Sequence, residues 1–174
     1  MRNLLLLLLL PVFGFSQVNT FPWVHNFDNG VGLEQEINDD GDWVINQGPT
    51  SSYNTGPQGD HTTGNDSYYY IESSYPSYPN KTFIVYTPTF DISATPGKVL
   101  SFWYHMYGME MGDLEIGVLD NNGYTLLDVK SGNYGDGWFF AYYPIASTDS
   151  FKIQFKGLTG DSYTSDISID DIMI

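Results

Sequence analysis

Residues 151–156 read Phe151-Lys152-Ile153-Gln154-Phe155-Lys156, and this stretch indicates the fold class. Apolar and polar side chains alternate along it without a break, as they do in a β-strand with one buried face and one solvated face. A helix would instead bury side chains that are three or four positions apart. The stretch therefore predicts a strand of a sheet that packs on a core.

The same alternation occurs upstream, at Leu114, Ile116 and Val118. Asp120-Asn121-Asn122-Gly123 follows and leads into a further strand at 124–129, which predicts a β-hairpin because an Asn-Gly pair accepts positive φ angles. Other strand-like runs are separated by clusters of Gly, Asn, Asp, Pro and Ser. They predict strands at 23–28, 43–46, 68–72, 82–86, 99–105, 138–145 and 166–173.

About ten short strands without an intervening helix predict an all-β domain of two packed antiparallel sheets. Aromatic residues make up 17% of the 174 residues, which suits a β-sandwich. Residues 48–66 are polar and predict a long loop, and loops of that length are usually held by function or by an ion. We expect a single domain over residues 17–174.

Residues 1–16 have the features of a secretory signal peptide. Arg2 gives a positive start, residues 4–10 are all Leu, and Gly14 and Ser16 are small residues ahead of the expected cleavage site. The alternative is a membrane helix, but the apolar run is shorter than the roughly 20 residues that cross a bilayer. We therefore expect a protein that is secreted or at the cell surface, without membrane insertion.

Charge and cysteine content narrow the possible partners. The formal net charge is −15, which disfavours nucleic acid and anionic membrane surfaces, because both bind through Lys and Arg. Cysteine is absent, so the exported chain has no disulfides, and its stability must come from its core, to which a bound metal ion could add. The compact leader and the lack of disulfides favour a bacterial source.

Short motifs follow one another in a recognisable order along the chain. They are Asp39-Asp40-Gly41-Asp42-Trp43, Gly48-Pro49-Thr50, Thr55-Gly56-Pro57, Asp60-His61-Thr62, Tyr68-Tyr69-Tyr70-Ile71-Glu72, Phe102-Trp103-Tyr104-His105-Met106-Tyr107-Gly108, Phe155-Lys156-Gly157 and Ile169-Asp170-Asp171-Ile172. In this order they resemble the MAM domain (meprin/A5/mu family) over essentially the whole mature chain. The resemblance implies a jelly-roll β-sandwich, an extracellular setting, an adhesive or recognition role, and no catalytic activity.

The chain departs from that family at its cysteines. The family usually carries them at places that hold His25, Val99 and, approximately, Glu34 in this sequence. Family properties that depend on disulfides, including covalent dimerisation, are therefore not expected to carry over.

Acidic residues predict a calcium site. Strict alternation along the last strand places Ile167, Ile169 and Asp171 on one face, so that Asp171 points into the core, where an unpaired carboxylate costs several kcal/mol. Calcium collects carboxylate and carbonyl oxygens and would answer that cost. In jelly-roll modules a first-strand acid and a last-strand Asp commonly share one structural calcium. The predicted ligands are Asp28, Asp60, Asp170 and Asp171; the alternative is that these acids are merely solvated or hydrogen-bonded.

Aromatic residues predict a ligand surface. Phe102, Tyr104 and Met106 share one face of their strand, so one of its two rows faces away from the core. Exposed aromatic rows stack on the apolar faces of sugars, whereas the alternative for each ring is ordinary core packing. The predicted ligand contacts are Trp103, His105, Tyr107, Trp138, Tyr134, Tyr53 and Tyr69.

These observations favour binding over catalysis. His25, His61 and His105 show neither an HExxH spacing nor a nucleophile motif. The leading hypothesis is a noncatalytic, calcium-stabilised module that binds a polysaccharide or glycoconjugate. A protein–protein adhesion module is the alternative, and a small glycoside hydrolase, which needs two facing carboxylates, is a third.

Overall fold

The computed structural model describes residues 17–91 and 97–174, which form a jelly-roll β-sandwich. Within these residues every element is a strand, and all strand pairs are antiparallel. The strands are β1 (Val24–His25), β2 (Glu34–Gln35), β3 (Val44–Gln47), β4 (Ser67–Ile71), β5 (Thr82–Tyr86), β6 (Lys98–Met106), β7 (Asp113–Asp120), β8 (Gly123–Ser131), β9 (Phe139–Ile145), β10 (Phe151–Leu158) and β11 (Ile167–Met173).

Two sheets form the sandwich. The six-stranded sheet has the order β3-β4-β11-β6-β9, and β1 pairs with the second half of β11. The five-stranded sheet has the order β2-β5-β10-β7-β8. The predicted all-β architecture of two antiparallel sheets is therefore confirmed.

The core lies between the two sheets. Phe151, Ile153 and Phe155 of β10 are buried, as their alternation predicts, and the intervening polar side chains are partly exposed. Phe155 meets Phe102 of β6 edge-on, with 4.9 Å between the ring centroids. Each such buried apolar side chain contributes roughly 1.5–3 kcal/mol relative to an exposed one.

Most predicted strands lie within a few residues of their predicted bounds. The hairpin at Asp120–Gly123 joins β7 to β8 and is confirmed, with a positive φ of 112° at Gly123. The strand predicted at 23–28 is reduced to β1, because the chain turns at Phe27 with a φ of 63°. The short strand β2 was not predicted, since two residues carry no alternation.

The signal peptide predicted at residues 1–16 lies outside the described residues. Over residues 17–91 and 97–174, no helix is long and apolar enough to cross a membrane.

Candidate functional site

Strand β6 organises the outer face of the six-stranded sheet, the face turned away from the core. Phe102, Tyr104 and Met106 point into the core, so the opposite row of β6 faces outward, as one of the two predicted arrangements requires. Trp103 on this outward row is half-buried, and His105 is only 1% exposed. A covering segment is therefore needed to explain why an outward-facing histidine is buried.

The polar loop at 48–66 is that cover. Thr50, Thr55 and Asp60 are buried although all three are polar, because the loop lies on the sheet rather than in solvent. Asp60 shapes the loop by accepting hydrogen bonds from the backbone N–H groups of Thr62, Thr63 and Asp66. Burial alone would raise the pKa of Asp60, but these hydrogen bonds lower it below its usual value.

His61 fastens the loop to the sheet. Its backbone N–H donates to Asp170 Oδ2 at 2.9 Å, and its Nδ1 lies 2.8 Å from Asp171 Oδ2. Its ring stacks on Trp103 with 3.7 Å between centroids. Thr62 Oγ1 donates to the same oxygen of Asp171 at 2.6 Å. The predicted metal ligands on β11 thus serve as hydrogen-bond acceptors for the loop.

The prediction that Asp171 points into the core is wrong. A β-bulge interrupts β11 after Asp170, and Asp171 adopts a φ of 48°. The extra residue shifts the alternation, so Ile172 takes the core position and Asp171 turns towards the loop. Asp170 is the buried carboxylate instead, with 1% exposure.

Among the described residues, no lysine pairs with the acids beneath the loop, and His61 is the basic side chain that contacts one of them, Asp171. Burial, together with the neighbouring carboxylates Asp171 and Asp60, raises the pKa of Asp170 to about 7. Burial raises the pKa of Asp166 to about 6. The structure brings Asp60, Asp170 and Asp171 together, whereas Asp28 is exposed and accepts a hydrogen bond from the Ser67 N–H. In the described part of the chain, no three His, Asp or Glu side chains converge closely enough to hold a metal ion.

Three depressions follow the outward row of β6. The first, an apolar groove of about 660 Å³, is defined by Phe21, Pro22, Val99, Phe140, Tyr142 and Met173. The second, of about 280 Å³, lies beside His105, Trp138 and Asp136. The third, of about 560 Å³, is the loop-end pocket, defined by Asn54, Tyr107, Glu110, Asn133, Ser162, Tyr163 and Thr164.

The loop-end pocket combines aromatic rings with uncommitted polar groups. It lies where the loop at 48–66 meets the connections after β6, β8 and β10. Within the described residues, the phenol oxygens of Tyr107 and Tyr163, the Asn54 amide and the Ser162 hydroxyl make no hydrogen bond. The pocket therefore offers rings, donors and acceptors to a ligand.

The other predicted aromatic contacts lie in different surroundings. Trp138 is half-buried, and its Nε1 donates to the Gly59 carbonyl at 3.1 Å, which ties it to the covering loop. Tyr53 is 87% exposed, and Tyr134 packs edge-on against Tyr104. Tyr69 is buried in the core and stacks on Phe27 at 4.9 Å. Its ring is not accessible to a ligand, because β4 directs it inward between the sheets.

Sequence reasoning did not find several residues of these surfaces. Phe140 and Tyr142 of β9 are 55% and 58% exposed, and their alternation across Ala141 was the available signal. Tyr163 and Glu110 lie on connections, where no periodicity indicates the direction of a side chain.

Comparisons with known proteins agree with this fold. The family model of the MAM domain, meprin/A5/mu, matches residues 26–174. Thyroid hormone-induced protein B of Xenopus laevis is 38% identical over 149 residues, covering 83% of this chain and 21% of that protein. MAM domain-containing glycosylphosphatidylinositol anchor protein 1 of Homo sapiens is 35% identical over 155 residues, covering 82% of this chain and 16% of that protein. The chain thus spans a minor part of these relatives' length. Both are vertebrate proteins, which gives the predicted bacterial source no support.

Solved structures share the architecture at low sequence identity. The K2 cleaved adhesin domain of Lys-gingipain has a TM-score of 0.60 and 13% identity, covering 87% of this chain and 97% of that chain. A structure described as showing the promiscuous specificity of carbohydrate-binding modules from the β-sandwich superfamily has a TM-score of 0.55 and 13% identity, covering 90% of this chain and 62% of that chain. These likenesses show the fold alone. The family match and the two relatives show more: the chain belongs to the MAM domain family, meprin/A5/mu.

Proposed function

We propose that this MAM domain is a noncatalytic carbohydrate-binding module of an exported protein, and that the loop-end pocket is its binding site. The observation that carries the proposal is that Tyr107 and Tyr163 line the same pocket as the Asn54 amide and the Ser162 hydroxyl. These polar groups make no hydrogen bond to the described residues. A sugar presents apolar ring faces and hydroxyl groups that both donate and accept, so it matches this mixture of surfaces.

The pocket chemistry supports binding rather than hydrolysis. Glu110 is the one carboxylate among the residues that line the pocket. Glycoside hydrolysis usually requires two carboxylates on opposite sides of the scissile bond. Support for the extracellular setting comes from the human relative, whose name describes a glycosylphosphatidylinositol anchor protein. Support for a sugar ligand comes from the β-sandwich carbohydrate-binding modules that share this fold.

Affinity electrophoresis on a polysaccharide panel, repeated in EDTA, tests the proposal. For a glycan that is retained, Tyr107→Ala and Tyr163→Ala should each lower affinity at least tenfold, about 1.4 kcal/mol. Tyr142→Ala is the matched control, since this exposed tyrosine lies in the apolar groove. Equal losses in all three variants would place binding elsewhere, and a broad panel without any retained glycan would contradict the proposal.

A second function, protein–protein adhesion, is favoured by the apolar groove. Phe140, Tyr142 and Met173 are 55%, 58% and 43% exposed and lie side by side on the outer face. Contiguous exposed apolar surface commonly marks a protein interface. Phe140→Asp should leave the fold intact and abolish self-association or partner capture in analytical ultracentrifugation. Association that survives this change would exclude the groove.

We also propose that the acids under the loop bind calcium. The support is electrostatic: the carboxylates of Asp60 and Asp171 help to raise the pKa of Asp170 to about 7, and no lysine among the described residues pairs with any of the three. Because their side chains do not converge in this structure, the ion would also need backbone carbonyl oxygens or a shift of the loop. Calcium would supply positive charge to oxygens that already hold the loop in place. At 100 times its Kd, it should stabilise the protein by about 2.7 kcal/mol. Identical melting curves in EDTA and in excess calcium, for the parent and for Asp171→Ala, would contradict this proposal.

A further inference from the structure

The charged side chains around the loop-end pocket are all acidic. Glu110 lies between this pocket and a neighbouring depression of about 420 Å³ that Asp113 and Asp161 also line. No lysine lines either depression in the described part of the chain. A ligand that extends across both depressions therefore meets three carboxylates and no ammonium group.

The lysines of the chain are engaged elsewhere. Four of them form ion pairs: Lys81 with Asp40, Lys130 with Asp128, Lys152 with Glu34 and Lys156 with Glu115. The fifth, Lys98, donates to the Ser147 carbonyl at 2.6 Å. Lys81 is nearest to the depressions in sequence, but its ammonium lies 3.0 Å from Asp40. An anionic glycan would find no counter-charge at this site.

Glu110 is held in place with one oxygen uncommitted. Thr164 Oγ1 donates to Glu110 Oε2 at 2.6 Å, whereas Oε1 makes no hydrogen bond to the described residues. The backbone around Glu110 is fixed by close approach to the chain after β10. A Cβ on Gly160 would lie 1.7 Å from the Glu110 carbonyl oxygen, so only glycine fits there. The carboxylate is thus positioned before any ligand arrives, which lowers the cost of binding.

Resting on the proposed function, we propose that the loop-end pocket selects polysaccharides that carry free amino groups, with Glu110 Oε1 accepting a hydrogen bond from a protonated sugar amine. Tyr107 and Tyr163 contact the ring faces, and Asn54 and Ser162 contact hydroxyl groups. A charge-assisted hydrogen bond of this kind is roughly twice as strong as a neutral one. Uronate and sulfated chains are repelled by the same carboxylates.

Three tetrasaccharides of equal length test the inference by isothermal titration calorimetry at slightly acidic pH, where sugar amines are protonated. They are the β-linked oligomers of glucosamine and of N-acetylglucosamine, and the oligomer of galacturonic acid. We expect glucosamine to bind at least tenfold more tightly than galacturonate, and this preference to shrink as salt screens the charges. Glu110→Gln should lower glucosamine affinity about tenfold and leave N-acetylglucosamine affinity unchanged.

Glu36→Gln is the matched control, because it removes the same charge from an exposed loop beside β2. Equal losses of glucosamine affinity in Glu36→Gln and Glu110→Gln would show that net charge, not Glu110, sets the preference, and would overturn the inference. Galacturonate binding as tightly as glucosamine would also overturn it, while leaving the proposed function intact. If none of the three oligomers binds, and no glycan in a wider panel of neutral polysaccharides binds either, the proposed function itself fails.

Discussion

Asp166 is a completely buried carboxylate, and only one of its two oxygens accepts hydrogen bonds from the described residues. Its Oδ1 accepts hydrogen bonds from the Ser73 backbone N–H and from Ser73 Oγ, both at 2.9 Å. Its Oδ2 has no partner among the described residues, nor do the buried atoms His105 Nδ1 and Ser168 Oγ beneath the same loop. Burying polar atoms without hydrogen bonds costs roughly 1–3 kcal/mol each. These unpaired polar atoms under the loop therefore lower the free energy of unfolding, and burial of the apolar core offsets that loss.

Asp166→Asn should stabilise the protein at neutral pH. The pKa of Asp166 in the folded state is raised to about 6 from 3.8, so the folded state holds this proton more tightly than the unfolded state does. The free energy of unfolding contributed by Asp166 is therefore lost as the pH rises from about 4 through about 6. The amide keeps the acceptor for Ser73 and has no charge. We expect a gain of roughly 1–3 kcal/mol in urea unfolding at neutral pH, and little gain below pH ~4.

Asp166→Ala is the informative comparison. It removes the charge but also removes the acceptor of both Ser73 hydrogen bonds, so it should destabilise the protein by roughly 1–3 kcal/mol below pH ~4. This loss should shrink at neutral pH, where the parent carries the buried charge and the Ala variant does not. If the Asn variant is no more stable than the parent at neutral pH, the buried charge of Asp166 does not destabilise the folded state.

At the scale of elements, strand alternation predicted most of the fold. Phe151 to Phe155 and the outward row of β6 behave as a period of two requires, because β10 pairs with β7, and β6 with β9, in unbroken register. The prediction for Asp171 failed because a bulge changes the period by one residue, and no residue type signals a bulge reliably. The position of Asp170, which is buried instead, follows directly from that shift.

The cover formed by the loop at 48–66 could not be predicted. Its polar composition indicates a solvated loop. In the structure, however, several of its residues are buried against the sheet, among them Thr55, Gly56, Pro57, Gly59 and Asp60. The contacts that hold it join residues more than a hundred positions apart, such as His61 and Asp171. The local sequence pattern carries no information about contacts between such distant residues. The burial of His105 under this loop therefore depends on tertiary packing, which the sequence pattern does not reveal.

His61→Ala should loosen this loop without unfolding the sandwich. The change removes the stack on Trp103 and the bond to Asp171, and leaves the backbone bond to Asp170 in place. We expect a loss of roughly 1–3 kcal/mol. Hydrogen–deuterium exchange should accelerate over residues 48–66 and stay unchanged in β6 and β10.

Gln58→Ala is the control for this experiment, because Gln58 is exposed on the same loop and makes no side-chain hydrogen bond to the described residues. Exchange that accelerates equally in both variants would show that His61 does not fasten the loop. Exchange that accelerates throughout β6 and β10 would show that the loop and the sandwich unfold as one unit.

At the scale of the whole molecule, topology assembles the candidate site. Jelly-roll connections bring the ends of β6, β8 and β10 to the same edge of the sandwich, and the covering loop reaches that edge at Asn54. Ordered family motifs predicted the sandwich and the aromatic strand, since each motif is local. They did not predict that Tyr107 and Tyr163 would line one pocket, because that depends on how four connections meet.

Net charge governs a further property of the whole molecule, the dependence of its stability on salt. The formal net charge is −15, and four of the five lysines form surface ion pairs worth about 0–1 kcal/mol each. Salt weakens those pairs, but it also screens the repulsion among the excess carboxylates, and the second effect involves more charges. We therefore expect the Tm in EDTA to rise steadily as sodium chloride increases from about 0.01 to about 1 M, which shortens the screening length from about 30 to about 3 Å. Differential scanning calorimetry measures this slope, which should shrink at acidic pH as the carboxylates take up protons. A Tm that falls with added salt would show that ion pairs outweigh the repulsion.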